Sequence, residues 1–264
     1  MTPALLPPAS PVAVLASGAA GLTVAGAVAR RLPHEDLVVL LDSAYAPYAR
    51  RQPRLVVDRV LRLTDELLTH SPKLVVLAGA QATADALDVV RRRCPVPVVG
   101  LDGLVTRAAA RAEGAPVAVV TGEGCMRGLQ QAKSIRRQRG GTAIVCAWAG
   151  LAELVEAGRP LSAEARALVA AELERLEGVG AILLACPHAA AVRPLVDELT
   201  ADVAVVDCAE IAADRVVRTL RRSAAVARRR RPGRRILIST DPVRAAGGLR
   251  RPAGLVAAPP PVSG

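Results

Sequence analysis

A thiol and an imidazole lie close together in the run Cys186-Pro187-His188. This run closely follows the apolar segment Ala181–Leu184, which has the composition of a buried strand. A thiol between a strand end and a helix start can have a lowered pKa, and its thiolate can act as a base or a nucleophile. The alternative is a small buried cysteine beside a surface histidine, and the local sequence does not decide between the two interpretations.

A loop of small residues from Ser17 to Gly21 is a second candidate for chemistry. It leads from the apolar run Val12–Leu15 into a helical pattern, and unpaired N–H groups at a helix start bind carboxylate or phosphate groups. Glycine-rich turns between a strand and a helix are also ordinary packing devices, so both interpretations stand. The loop is neither a P-loop, since no Gly-Lys-Ser/Thr sequence follows, nor a dinucleotide-binding GxGxxG motif.

Apolar runs that alternate with helical patterns must position these residues, and this alternation predicts parallel strands with both sheet faces covered. The predicted strands are Val12–Leu15, Leu37–Leu41, Leu74–Leu77, Val96–Val99, Val117–Val120, Ala143–Cys146, Ala181–Leu184 and Val203–Val206. The predicted helices are Leu22–Arg31, Val56–Leu68, Ala82–Arg93, Met126–Arg137, Ala163–Leu176, Ala190–Leu199 and Ala209–Arg222.

The chain contains an internal repeat. The segment Pro-Val-Ala-Val at 11–14 recurs at 116–119, and Val-Leu-Ala-Gly at 76–79 resembles Leu-Leu-Ala-Cys at 183–186. Four strands recur in the same order at a nearly constant offset, from which we infer two similar lobes. The second copy also favours interpreting Val12–Leu15 as a strand rather than as part of a signal peptide.

The predicted fold class is therefore α/β, with two pseudo-symmetric lobes that are each a parallel β-sheet flanked by helices. Residues 12–102 and 212–255 are expected to form the first lobe, and residues 103–211 the second. The Pro- and Ala-rich residues 1–11 and 256–264 are expected to be disordered tails. Ligands of open α/β sheets bind at the carboxyl ends of the strands, so we predict the ligand cleft between the lobes.

The composition disfavours several classes of function. Of the 264 residues 52% are hydrophobic, which excludes a disordered chain, and 1% are aromatic, which leaves few stacking platforms for single-stranded nucleic acids. The formal net charge of +11 is almost entirely arginine. Part of it lies between Arg228 and Arg235, where a solvated loop and a nucleic-acid or membrane-surface patch are alternative interpretations. Five cysteines without CxxC spacing favour a reduced cytoplasmic compartment over a disulfide framework or a zinc ribbon.

The residues at the predicted strand ends resemble the aspartate/glutamate racemase superfamily, and within it most of all the glutamate racemases. Several motifs carry the resemblance in the family's order, over a stretch from about Val12 to Gly254. They are Ala16–Val24 over the family's DSGxGGLTV, Arg31–Asp36 over RLPxED, Asp42–Ala49 over DTARxPYG, Val75–Ala84 over VVACNTAS, Cys186–His188 over GCTH, Arg193–Leu195 over RPL, and Ser239–Pro242 over TGDP.

The resemblance implies inversion of an amino-acid stereocentre without a cofactor: one base removes the α-proton, and an acid returns a proton to the opposite face. In the family, two cysteines, one from each lobe, do this with the help of an Asp and a His. Cys186 and His188 match catalytic positions, whereas Gly79 stands at the position of the first cysteine and Ala16 at that of the Asp. The positions matched to substrate binding are Ser17, Pro47, Tyr48, Ala49, Ala80, Gln81 and Pro187.

Three interpretations of this pattern stay open. The first is a homologue with lost or altered racemase activity, including a non-catalytic protein that binds small carboxylates or regulates. The second is a one-thiol decarboxylase of the arylmalonate decarboxylase type, since that branch has Gly at the first position and Cys at the second. The third is a racemase whose base is displaced to Cys94 or Cys125.

Under the first interpretation the family role is the supply of D-glutamate for peptidoglycan. The resemblance implies a small amino acid or carboxylate as the ligand, with no cofactor and no bound metal. It is compatible with a homodimer, and neither a membrane nor a nucleic acid is expected as a partner.

Overall fold

The structure, a computed structural model, describes residues 7–122, 142–200, 202–241 and 255–257. The strands in these ranges are β1 Val12–Ala16, β2 Leu37–Leu41, β3 Leu74–Leu77, β4 Val98–Val99, β5 Val117–Gly122, β6 Ala143–Trp148, β7 Ala181–Leu184, β8 Ala204–Asp207, β9 Arg235–Ser239 and β10 Leu255–Ala257. The helices are α1 Gly21–Arg31, α2 Pro53–Leu68, α3 Ala80–Arg93, α4 Leu104–Ala109, α5 Leu151–Glu156, α6 Ala163–Leu173, α7 Pro187–Ala191, α8 Arg193–Leu199 and α9 Cys208–Arg222, with a 3₁₀ turn at Tyr48–Arg50.

The strands form two parallel sheets whose topology repeats. The first sheet has the order β10-β9-β2-β1-β3-β4, and the second has the order β6-β5-β7-β8. The inner order β2-β1-β3-β4 therefore recurs as β6-β5-β7-β8, and the register recurs with it: Val12 pairs with Leu37, and Val117 pairs with Ala143. This confirms the predicted α/β class with two pseudo-symmetric lobes.

The core joins the two lobes. All five residues of β1 and all five of β2 are buried, as expected for strands with both faces covered. Helices α1 and α9 pack against each other, and one apolar cluster contains Val14 and Val28 of the first lobe, Val119 and Leu183 of the second, and Val216 of α9. Within the described ranges, no helix has both the length and the apolar character needed to cross a bilayer.

The largest local difference from the predicted elements concerns the helix expected over Ala190–Leu199. The chain instead forms α7 and α8, which are separated at Val192. Pro194 explains the interruption, because proline lacks the N–H that would bond to the carbonyl four residues earlier and its ring clashes with that carbonyl. The helix predicted over Met126–Arg137 lies outside the described residues.

Strand β9 was not predicted, and the arginine-rich segment before it has a structural role. Arg229 lies 2.9 Å from the Asp36 carboxylate and Arg234 lies 3.2 Å from it. Gly233 approaches the same loop so closely that a Cβ there would lie 1.8 Å from the carbonyl oxygen of Glu35. These contacts attach the connector after α9 to the first lobe and bring β9 beside β2.

Candidate active site

Cys186 lies where the repeat and the strand pattern place it, two residues beyond the end of β7 and at the N-cap of α7. Its side chain is fully buried, and its Sγ accepts a hydrogen bond from the N–H of Ala189 at 3.5 Å. Pro187 occupies the first position of α7, where a missing N–H has no cost. A cysteine in place of a hydroxyl-bearing cap thus starts the helix and also holds the thiol at the strand edge.

His188 is the residue whose protonation is most strongly altered in the site. Its Nε2 lies 2.9 Å from Oε1 of Glu156, and its ring also interacts with the Cys186 thiol. Burial alone would lower the pKa of His188, but the hydrogen bonds and charges of Cys186 and Glu156 outweigh it and raise that pKa to about 10. The ring is therefore an imidazolium at neutral pH, and a cation beside a thiol stabilises the thiolate form that acts as a base.

Glu156, at the end of α5, completes the group and was missed in the sequence. Its Oε2 accepts a hydrogen bond from the N–H of Ala19 at 3.0 Å, and its Oε1 accepts one from the N–H of Ala20 at 3.3 Å. Burial would raise the pKa of Glu156, but the hydrogen bonds from His188 and the two amides lower it below its usual value. No local motif indicates this residue, because its partners lie far away along the chain and α5 is a helix of only six residues.

The first lobe has a glycine at the position where the second lobe has its thiol. Gly79 is the N-cap of α3 with φ −142° and ψ 134°, and a Cβ built on it would meet only Ala82, at 3.7 Å from its Cβ. Ala80 packs against the same apolar cluster that contains Ala20 and Cys186. The position matched to the family's first cysteine therefore has room for a side chain, and the residue after it packs against the cluster that contains the second-lobe thiol.

Two other first-lobe positions predicted for the site, Ala16 and Gln81, make contacts within the first lobe. Ala16 is buried, and its Cβ lies within 2.1 Å of the place where a Cβ on Gly21 would be, so this pair packs tightly. Gln81 is buried and its amide nitrogen donates to the Asp85 carboxylate at 2.7 Å. Ser17, which starts the loop, is half-buried.

Tyr48 belongs to a buried network centred on Asp42. The Tyr48 hydroxyl donates to Asp42 at 2.9 Å, the Arg59 guanidinium donates to the same carboxylate at 2.6 and 2.8 Å, and the Thr240 hydroxyl donates at 2.9 Å. Burial and the Asp42 charge raise the pKa of Tyr48 far above its usual value. This network lies in an apolar cluster separate from that of Cys186.

Two of the other sequence-predicted positions belong to the turn at Tyr48, Pro47 directly before it and Ala49 within it. Pro47 is exposed after a cis peptide bond from Ala46, and Ala49 is half-buried. The structure thus brings together Cys186, His188 and the loop after β1. The Tyr48 side chain belongs to the other apolar cluster, and the last residue of its turn, Arg50, lies 3.9 Å from Glu153 of α5.

Cys94 does not replace the missing thiol. It follows the last residue of α3, whereas Gly79 precedes the first. A helix of this length separates its ends by about 20 Å, at about 1.5 Å per residue. Burial also raises the pKa of the Cys94 thiol, which disfavours the thiolate. Cys125, the other candidate for a displaced base, lies outside the described residues.

A cavity of about 1570 Å³ opens elsewhere, between α1, α4, α8 and α9, and none of the sequence-predicted site residues lines it. Arginines in its wall are paired with acids: Arg30 lies 2.7 Å from Glu210, and Arg193 lies 2.7 Å from Asp207. In the described part of the chain, no three His, Cys, Asp or Glu side chains are arranged to hold a metal ion.

Comparisons with known proteins identify the family of the chain. The model of the Asp/Glu/Hydantoin racemase family matches residues 20–216. A glutamate racemase from Pseudomonas paraeruginosa is 34% identical over 80% of this chain and 82% of its own length.

Two solved structures are also similar. The glutamate racemase from Thermus thermophilus, in complex with β-chloro-D-alanine, has a TM-score of 0.77 at 25% identity and covers 96% of this chain and 98% of its own. The glutamate racemase from Francisella tularensis, in complex with D-glutamate, shares the fold with a TM-score of 0.77 at 17% identity, over 95% of this chain and 98% of its own. With its repeated α/β lobes, a thiol, imidazole and carboxylate at one strand edge, and a family match over most of its length, the chain belongs to the Asp/Glu/Hydantoin racemase family.

Proposed function

We propose that the chain is a glutamate racemase-like protein that exchanges the α-proton of an amino acid from one face only. Cys186 is the acid/base group, and the charges of His188 and Glu156 lie beside it. The family's first thiol is missing, because residue 79 is glycine. The observation that carries the proposal is this asymmetry: the strand end after β7 has an assembled thiol, imidazole and carboxylate, whereas the matching strand end after β3 has Gly79.

The proposed step follows from the positions of these groups. The Cys186 thiolate takes the α-proton, so that the Cα–H bond breaks, an S–H bond forms and the electron pair passes into the substrate carboxylate as an enolate. The His188 imidazolium offsets the negative charge nearby. The thiol then returns a proton to the same face, which restores the starting enantiomer. Absence of the second acid/base group lowers inversion by roughly 10²- to 10⁴-fold relative to a two-thiol enzyme.

The ligand is expected to be a small amino acid or carboxylate. D-glutamate is the first candidate, because the Francisella relative binds it and the matched positions follow the glutamate racemase pattern. Its supply for peptidoglycan, in the cytoplasm, is the corresponding cellular role if inversion is retained.

Proton exchange in D₂O tests the proposal. D- and L-glutamate are incubated separately with the protein, and deuterium at Cα is followed by mass spectrometry while a chiral assay follows inversion. We expect deuterium to enter one enantiomer without inversion, and Cys186→Ala to abolish the exchange. Cys94→Ala is the matched control, since it removes a thiol at the far end of α3 and should leave exchange unchanged.

The other outcomes identify the alternatives. Inversion at an ordinary rate would show that the lost first-lobe thiol is dispensable. The one-thiol decarboxylase has a specific observation in its favour, the pairing of Gly79 with Cys186, and release of carbon dioxide from a disubstituted malonate would support it. Against it, Ala80 has no hydroxyl for an oxyanion and the Gln81 amide already bonds to Asp85. Binding of glutamate without exchange would support a non-catalytic role.

A further inference from the structure

The Glu156 carboxylate is held by both lobes at once. Its two oxygens accept hydrogen bonds from the N–H groups of Ala19 and Ala20 in the first lobe, at 3.0 and 3.3 Å. The oxygen that Ala20 contacts is also 2.9 Å from Nε2 of His188, in the second lobe. The loop after β1 is thus in contact with the histidine of the site through a single carboxylate.

Gly18 is the residue that makes room for this carboxylate. A Cβ on Gly18 would lie 2.9 and 3.0 Å from the two oxygens of Glu156 and 3.2 Å from its Cδ. Gly18 is not among the glycines with positive φ, so its backbone could hold any residue. The steric reason for glycine at this position is therefore the Glu156 carboxylate and not the turn.

We propose that Gly18 is a positioning residue, whose missing side chain lets the Ala19 and Ala20 amides of the first lobe hold Glu156 against His188 of the second. The consequence for catalysis rests on the proposed function above. Residue 16 is alanine, and the loop's Ala19 and Ala20 amides bind the Glu156 carboxylate instead.

Gly18 affects the pKa of His188 through the charge of the Glu156 carboxylate. Two amide donors stabilise the ionised carboxylate, and the ionised carboxylate in turn stabilises the imidazolium. The titratable groups that act on His188 are Glu156 from α5 and Cys186 from the start of α7; the first-lobe loop contributes amides and no charge. Moving the carboxylate away therefore lowers the pKa of His188 and leaves the Cys186 contribution in place.

The test compares two glycine-to-alanine changes, one in the loop before α1 and one in the middle of α1. Gly18→Ala displaces the carboxylate, whereas a Cβ on Gly26 in α1 meets only the flexible end of Arg30, at 3.6 Å. The protonation of His188 is followed by NMR of histidine-labelled protein, in which only three histidines contribute signals. We expect the titration midpoint of His188 to fall by at least one pH unit in Gly18→Ala and to be unchanged in Gly26→Ala.

Two further measurements keep the proposal testable if Gly18→Ala folds poorly. Glu156→Asp shortens the side chain, so the double variant Gly18→Ala/Glu156→Asp should recover part of the lost midpoint. The amide protons of Ala19 and Ala20, which donate to the carboxylate, should shift upfield in Glu156→Gln. A His188 midpoint in folded Gly18→Ala equal to that of the native protein would overturn the proposal, as would Ala19 and Ala20 amides that do not respond to Glu156→Gln.

None of these readouts requires a substrate, so they stand or fall separately from the exchange reaction. In the exchange assay, Gly18→Ala should lower kcat by about tenfold or more with little change in KM. If the native protein shows no exchange, the proposed function fails while the NMR result still decides the role of Gly18.

Discussion

The gap at Gly79 allows a direct restoration experiment, the substitution Gly79→Cys. The backbone there is extended, so a cysteine brings no strain, and its Cβ would lie in ordinary contact with Ala82 at 3.7 Å. Ala80 next to it packs in the cluster that contains Cys186. The new thiol is therefore expected on the face of the ligand opposite the native one, in a chain that still folds.

The expected gain is in inversion and not in exchange. A positioned general acid/base contributes roughly 10²- to 10⁴-fold, and we expect the lower end, about 10²-fold or about 2.7 kcal/mol of activation free energy. The lower end is expected because Ala16 still lacks the carboxylate that assists this thiol in the family. The assay is the rate of conversion between D- and L-glutamate, followed by chiral chromatography, with Gly79→Ser as the size-matched control without a good base.

A double variant makes the stereochemistry decisive. In Gly79→Cys/Cys186→Ala the proposed acid/base thiol is moved from one lobe to the other, so exchange in D₂O should switch to the opposite enantiomer. A folded Gly79→Cys protein that inverts no faster than Gly79→Ser would refute the geometry inferred here. So would a double variant that exchanges the same enantiomer as the native chain.

The remaining predictions concern stability. The pKa of His188 is raised above its unfolded value of about 6.5. Its contribution to the free energy of unfolding, about 3 to 5 kcal/mol, is therefore complete below pH 6 and is lost as pH rises towards 10. Urea unfolding of the native chain and of His188→Gln, each at pH 6 and pH 10, measures this contribution. Arg59→Ala leaves the fully buried Asp42 carboxylate without its cation, and should lower the free energy of unfolding by about 3 kcal/mol. The exposed pair of Arg166 with Glu198 is the control, since Arg166→Ala should have no measurable effect.

These stability predictions have clear contrary outcomes. If the loss of stability between pH 6 and pH 10 is as large in His188→Gln as in the native chain, the histidine is not its source. If Arg59→Ala unfolds at the same urea concentration as Arg166→Ala, the Asp42 carboxylate is not buried as described.

Most of the scaffold could be predicted from the sequence because burial and repetition reinforce each other. β2, β3 and β7 have the predicted limits, since each is a continuous apolar run that begins directly after a polar residue or a glycine. The expected strand over Val96–Val99 is only Val98–Val99, because Pro97 has no N–H for the ladder. β9 was missed because its apolar centre follows an arginine-rich segment that indicates a solvated loop.

The site was predictable only where its residues follow strands. Cys186 and Gly79 each follow a strand of the repeat, at corresponding positions of the two sheets. Glu156 has no such signal, since it reaches the site only when the two lobes pack and place Ala19 and Ala20 against it. The pairing of Asp42 with Arg59 is likewise a contact between a loop and a helix, which no local spacing indicates.

The stereochemical course of α-proton exchange tests the central claim most directly. Each enantiomer of glutamate is incubated in D₂O with the native protein and with Cys186→Ala. One-sided chemistry at Cys186 predicts that deuterium enters one enantiomer, that this enantiomer keeps its configuration, and that the variant shows neither change. Deuterium in both enantiomers together with inversion at an ordinary rate, or exchange that survives loss of Cys186, would contradict it.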